Sequence, residues 1–352
     1  MQKYLLILIF VIAALFIDRY IYAGVINPDI SVIGQVNTIS TDDKSSENSG
    51  KAVTNIGETE IMFESYLNPY ARGTFVFAIC PVHGLETEEA FISIFKGLPD
   101  GLAVKAGKYR IGFGKLNPVH PHAYPFMEAP EVMKEMLPGD ESFNDTGIDL
   151  SYLTPVYGSW ALNATVGTLN GKSFHPDDTK ADSAWIGRLS NSFLINDYAP
   201  AEFGASATQG TNDTLWNAKT SVYGGDFKVK FKSLTQNTLT VQGEYFYNNS
   251  DVVIDTTTGN YNTIGRNGFY VFTDYAFNQR YNAGVIYNQY QRTSNKEMTD
   301  RSVKLFTGYT LLEETTLFRL SYEKFFPDGE EPVNTYMFQI LFSMGPHKAH
   351  QF

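Results

Sequence analysis

The sequence predicts an all-β fold, a transmembrane antiparallel barrel of about sixteen strands, with fourteen as the alternative count. Three observations predict it. Apolar and polar residues alternate along most of the chain, while helical periodicity is nearly absent. The 352 residues include 26 Phe and 22 Tyr but only 18% charged residues, a mix suited to strands with one apolar face and aromatics gathered at two interfaces. The connections between alternating segments fall into a very short set and a long polar set, as on the two rims of a membrane barrel.

The first 23 residues read as an export segment and residues 24–352 as the barrel. Met1-Gln2-Lys3 is a short positive start, residues 4–17 are apolar and uncharged, and Tyr22-Ala23-Gly24 offers a small-residue cleavage site. The rival reading is an uncleaved anchor, but about 14 apolar residues is short against the roughly 20 of a spanning helix. The single cysteine, Cys80, rules out an internal disulfide framework. A formal net charge of −11 argues against a nucleic-acid partner, which demands a basic face.

The strands follow in order. The first is read at 30–37. In later strands Phe227, Val229 and Phe231 alternate with Lys228, Lys230 and Lys232, and Leu239, Val241 and Tyr245 with Thr240, Gln242 and Glu244. Phe269, Val271 and Tyr275 alternate with Tyr270, Phe272 and Asp274. Thr316, Phe318, Leu320 and Tyr322 alternate with Leu317, Arg319, Ser321 and Glu323, and the last strand sets Tyr336, Phe338, Ile340 and Phe342 against Met337 and Gln339. Short turns are expected at 67–70, 99–101, 155–158, 196–200, 234–237, 278–280 and 313–314. Longer loops are expected at 38–57, 116–147, 167–183, 208–214, 248–266, 292–300 and 327–332. A cation on the lipid face near the midplane costs roughly 2–4 kcal/mol, so charged sets are assigned to the lumen. Lys108, Arg110, Lys228, Lys230, Lys232 and Arg319 are therefore expected inside, with Glu58, Glu60, Glu64, Glu244 and Glu323. At sixteen strands the lumen is wide enough to hold water.

Several short motifs carry a family resemblance. They are Asn27-Pro28-Asp29-Ile30, Gly107-Lys108-Tyr109-Arg110, Phe113-Gly114-Lys115-Leu116-Asn117, His120-Pro121-His122, Gln242-Gly243-Glu244-Tyr245-Phe246 and Met344-Gly345-Pro346-His347. Together they resemble a family of poorly characterised, porin-like bacterial outer-membrane β-barrels, often labelled by analogy with zinc-regulated TonB-dependent receptors. The resemblance implies an outer-membrane location and no settled activity. The plug domain of a TonB-dependent receptor is not expected, because only about half a dozen residues separate the cleavage site from the first strand. Phe352 resembles the terminal aromatic of assembled outer-membrane barrels, but Pro346 breaks the strand before it, so 338–342 is the alternative assembly signal.

The candidate site residues centre on the long loop 116–147. It carries Glu128, Glu131, Glu135, Asp140, Glu141 and Asp145 against Lys134, and the run PEVMKEML at 130–137 has Pro at the start of a short helix. If the loop folds inward, its carboxylates face Lys108, Arg110 and the Lys228–Lys230–Lys232 ladder across a constriction, an arrangement that orients dipolar solutes. The alternative is a solvated surface loop. His120 and His122 are two apart, so in an extended segment both imidazoles lie on one side and could share a zinc, copper or nickel ion. His83, His175 with Asp177, or loop carboxylates are the remaining donors. The alternative is a proline-rigidified turn whose histidines bond backbone or water. His347 and His350 invite the same idea.

No G-x-S-x-G elbow, phosphate loop or dinucleotide fingerprint occurs, and no enzymatic activity is expected. The expected function is passive passage of small solutes or ions through a barrel constricted by loop 116–147. A closed barrel acting in binding or adhesion and a zinc-linked uptake component are the alternatives. The expected partners are outer-membrane lipid, the barrel-assembly machinery and the passing solutes.

Overall fold

The structure, a computed structural model, describes residues 27–81, 84–139, 142–175, 182–234, 236–255, 259–278, 280–311 and 315–345. The export segment, His83, Asp140, Glu141, Asp177, His347, His350 and Phe352 lie outside the described residues.

The strands run in order as β1 (Asp29–Thr41), β2 (Ala52–Ile56), β3 (Thr59–Asn68), β4 (Ala71–Cys80), β5 (Gly84–Ile94) and β6 (Leu102–Arg110). After an inserted loop come β7 (Asn144–Leu153), β8 (Trp160–Leu169), β9 (Ala184–Asn196), β10 (Ala199–Asp213), β11 (Ala218–Lys232) and β12 (Thr238–Asp255). The wall finishes with β13 (Asn260–Phe277), β14 (Tyr281–Gln291), β15 (Thr299–Thr310), β16 (Thr316–Phe326) and β17 (Val333–Met344). Each pairs antiparallel with its neighbour, and β1 pairs with β17 from Val32↔Met344 to Thr41↔Thr335, so the sheet closes on itself. Both β2 and β3 pair with β1 on its other edge, as one barrel strand interrupted at Gly57 and Glu58. The seventeen segments therefore make the sixteen-stranded barrel that the alternation predicts.

Closure leaves no open sheet edge, which is what a strand-built protein needs in lipid. Leu150, Val166, Leu189, Leu305 and Leu320 are exposed on the outer wall. Near the short turns the same face carries Tyr66, Tyr70, Trp160, Tyr198, Phe277 and Tyr281, an aromatic girdle at one interface. Tyr281 stacks on Tyr309 across strands at 4.8 Å.

Some loop boundaries differ from expectation. β10 continues through Asp213, and β12 and β13 continue to Asp255 and from Asn260, where loops 208–214 and 248–266 were expected. Polar alternation cannot separate a hairpin standing above the lipid from a loop, because both are bathed in water and only the hydrogen-bond ladder distinguishes them. β7 begins at Asn144, so Asp145 belongs to the wall and the inserted loop is 111–143.

That loop turns into the barrel. It contains a 3₁₀ turn, Pro121–Ala123, and the short helix α1 (Glu131–Met136), which begins after Pro130 as the run predicts. Ile111, Phe113, Tyr124, Phe126, Val132, Met136 and Phe143 are almost wholly buried and join one apolar cluster with inward-facing Phe246, Tyr270, Phe272, Ile286 and Phe306. Aromatics are thus not confined to the lipid face. Inward aromatics of β12–β15 are covered by the loop, and alternation says which residues share a face, not what covers it.

Candidate functional site

The in-folded loop and the wall groups that hold it define the interior. On the β10–β16 side the anchors are backbone groups and apolar rings. Gly114 has φ +64, a left-handed conformation that favours glycine, and a Cβ there would run into the Glu244 carboxylate. The next two backbone N–H groups, of Lys115 and Leu116, donate to Glu244 Oε1 at 2.9 and 2.8 Å, and the Tyr270 hydroxyl donates to the same oxygen at 2.5 Å. The Arg319 guanidinium donates to the carbonyls of His122 (2.8 Å), Tyr124 (2.6 Å) and Phe126 (3.2 Å). Asn282 donates to the Pro125 carbonyl at 3.1 Å and Asn248 to that of Met136 at 2.8 Å. Phe126 meets Phe272 and Phe306 edge-on at 5.2 and 5.5 Å. The helix approaches β13 closely because residue 268 is glycine: a Cβ there would lie 2.5 Å from Val132.

On the β3–β5 side the contacts are ionic. The pairing of β4 with β5 slips between Val76 and Phe77, a β-bulge that makes Glu88 an extra residue. Consecutive Glu88 and Glu89 thereby both reach His120, which strict alternation forbids. His120 Nε2 is 3.1 Å from Glu89 Oε2. His120 Nδ1 is 3.1 Å from Glu60 Oε2 and 3.4 Å from Glu88 Oε2. His122 Nδ1 is 2.9 Å from Glu60 Oε1, and the two imidazoles stack at 5.5 Å. Arg110 orients the carboxylates: its Nε donates to Glu88 Oε1 and its backbone N–H to Glu89 Oε1, each at 2.9 Å. Burial disfavours the charged form of His120, but the adjacent carboxylates, Glu60 above all and then Glu88 and Glu89, outweigh it and raise this imidazole well above its ordinary value. Donor atoms of Glu60, His120 and His122 lie within 4.8 Å of one another, as do those of Glu58, Glu60 and Glu88, so these residues could hold a metal ion.

The expected site residues separate into groups. Glu244, Arg319 and Arg110 are 4%, 4% and 7% exposed, so they are loop anchors and not surfaces of an open passage. Lys108 departs from expectation. It pairs with Ala90 and Thr146, on the face opposite Lys105 and Tyr109, and its Nζ donates to the exposed Thr87 carbonyl at 2.7 Å. Lys105 is the inward lysine of β6, over the rings of Phe91 and Tyr109. Lys228, Lys230 and Lys232 share the inward face of β11 with buried Asp226. Among the described residues the loop carboxylates engage other partners than that ladder: Glu128 approaches Lys304 (3.5 Å), Glu131 pairs with Lys134 (2.9 Å) and Glu135 accepts from the Thr293 N–H (3.0 Å). Sequence reasoning placed Glu60 inside but did not join it to the histidines, and it passed over Glu88 and Glu89. The adjacent pair in an otherwise alternating strand was the available signal.

A closed sixteen-stranded barrel with a lipid-facing apolar wall, short turns on one rim and a long loop folded into the lumen is an outer-membrane β-barrel of porin type, and the chain belongs in the outer membrane. No family model matches the chain. It is similar to an uncharacterized protein of Aquifex aeolicus (strain VF5), 27% identical over 334 residues, which cover 85% of this chain and 70% of that one. Among solved structures it resembles the anion-selective porin from Comamonas acidovorans, with a TM-score of 0.61, 12% identity, and coverage of 90% of this chain and 99% of that chain. It also resembles the outer membrane channel DcaP of Acinetobacter baumannii, with a TM-score of 0.58, 11% identity, and coverage of 90% and 96%. At such identities the likeness is one of fold. Nothing in these matches supports the zinc-regulated, TonB-dependent label.

Proposed function

We propose that the protein is a porin-like channel giving passive passage to small solutes or ions, with loop 111–143 as its constriction. The observation that carries this reading is the anchoring of the loop across the lumen, from Glu60 on β3 to Glu244 on the nearly opposite strand β12. A diffusion channel needs such a fixed inner obstacle to set its size limit, and a loop held at both sides cannot swing freely with solute. Lys228, Lys230 and Lys232 put a row of positive charge on the inward wall, which favours anions along that side. The likeness to channels, one of them an anion-selective porin, agrees with the reading.

Planar-bilayer recording of the folded barrel tests it. Steady conductance is expected, with a reversal potential that moves toward cation preference when Lys228, Lys230 and Lys232 are replaced by Gln. Folded protein without conductance sinks the channel reading and favours a closed barrel acting in binding. The dense ring packing of Phe113 on Phe246 and Phe126 on Phe272 is the feature that supports this second reading.

A further inference from the structure

The His–carboxylate cluster at the β3–β5 wall has features that loop anchoring alone does not require. Buried His120 Nδ1 and Glu88 Oε2 face each other at 3.4 Å, and neither makes a hydrogen bond. The other oxygen of Glu88 and both oxygens of Glu89 are committed. Glu88 Oε1 is taken by the Arg110 guanidinium, Glu89 Oε1 by the Arg110 backbone N–H, and Glu89 Oε2 by His120 Nε2. A proton on His120 Nε2, donated to Glu89, leaves the Nδ1 lone pair aimed at two carboxylates. That arrangement suits a cation between them.

We propose that Glu60, Glu88, His120 and His122 bind one divalent transition-metal ion of the zinc class, which clasps the in-folded loop to the barrel wall. Two imidazoles and two carboxylates are the donors such ions prefer. The spacing fits. Ligands at about 2.0–2.1 Å around a tetrahedral ion lie about 3.3 Å apart, and here His122–Glu60, His120–Glu60 and His120–Glu88 are separated by 2.9, 3.1 and 3.4 Å, with Glu60 common to both candidate ligand groups. Glu89 is the positioning residue. A carboxylate accepting the far N–H of a ligating histidine fixes its tautomer and ring orientation, and the bulge in β5 puts Glu89 beside Glu88 for this role. Arg110 plays the same part for Glu88, turning Oε2 inward. The ion joins ligands from wall and loop, so its binding stabilises the docked loop whether or not solutes pass.

The test uses the full chain, purified in detergent, treated with chelator and titrated with Zn²⁺ by calorimetry and with Co²⁺ by visible absorption. One equivalent of Zn²⁺ and the intense bands of tetrahedral Co²⁺ are expected. Glu88→Gln and the double substitution His120→Ala with His122→Ala should abolish both, and Glu89→Gln should weaken Zn²⁺ binding by about 10- to 100-fold. Heat-modifiable gel mobility verifies that each variant is a folded barrel, and His175→Ala should leave the titration unchanged. Hydrogen exchange at residues 118–123 should slow when Zn²⁺ is added to the parent chain only. Absence of stoichiometric binding to the parent overturns the proposal, as does unchanged binding in folded Glu88→Gln. None of these readouts needs conductance, so failure here is distinct from failure of the channel reading.

Discussion

The same loop meets the barrel wall in two unlike ways. Toward β12–β16 it is held by buried rings and by Arg319 and Glu244, each bonded to several loop backbone groups. Toward β3 and β5 it is held by imidazoles against carboxylates, with little apolar burial. The first side rests mainly on desolvated rings and backbone hydrogen bonds. The second rests on charge, which protons, salt and metal ions all alter. The loop is thus built with one permanent attachment and one adjustable one, and the contrast can be tested from either end.

The largest effect is expected from Phe126→Ala. The ring is 1% exposed and wedged against Phe272 and Phe306, so truncation should cost about 3–5 kcal/mol of loop docking. Hydrogen exchange should rise across 121–137, and bilayer conductance should rise with it. An unchanged exchange pattern would mean that the ring cluster is not the permanent attachment.

Glu244→Ala comes next. It strips the Lys115 and Leu116 N–H groups and the Tyr270 hydroxyl of their shared acceptor, at about 2–3 kcal/mol. Limited proteolysis near Lys115 should report the opening, and Glu244→Gln, which keeps an acceptor oxygen, should recover part of the protection.

Gly114→Ala should cost about 1–2 kcal/mol through its left-handed backbone alone, with contact against Glu244 adding to it. The same proteolysis assay measures it, and protection equal to the parent would place the anchor elsewhere. The smallest effect belongs to the ionic side: in metal-free protein His122→Gln should cost about 1 kcal/mol. Raised exchange should stay within 118–123 while 124–137 remains protected. Exchange spreading across the whole loop would show that the two attachments are not independent.

Much of this was legible in the chain. Alternation along 316–323 and 336–342 sorted lipid from lumen correctly because period two is a property of each strand by itself. Pro130 marked the start of α1 for an equally local reason. The site was less legible. Lys108 and Arg110, two apart, read as one charged face. In the barrel Lys108 stays on the outer face, while Arg110, at the strand end where the wall opens into the loop, brings its guanidinium to Glu88 and the Val119 carbonyl. Glu88 and Glu89 were passed over, and only the bulge gives them a common direction.

By itself the sequence determined the barrel, its approximate strand count, most of its lipid face and the presence of one outsized loop, since each follows from local periodicity, turn spacing and the cost of charge in lipid. Only the tertiary structure decided that Glu244 and Arg319 anchor the loop, that aromatics of β12–β15 pack beneath it, and that His120 and His122 meet Glu60, Glu88 and Glu89. Those meetings join residues tens to hundreds of positions apart, and nothing short of closing the barrel around the loop brings them within bonding distance.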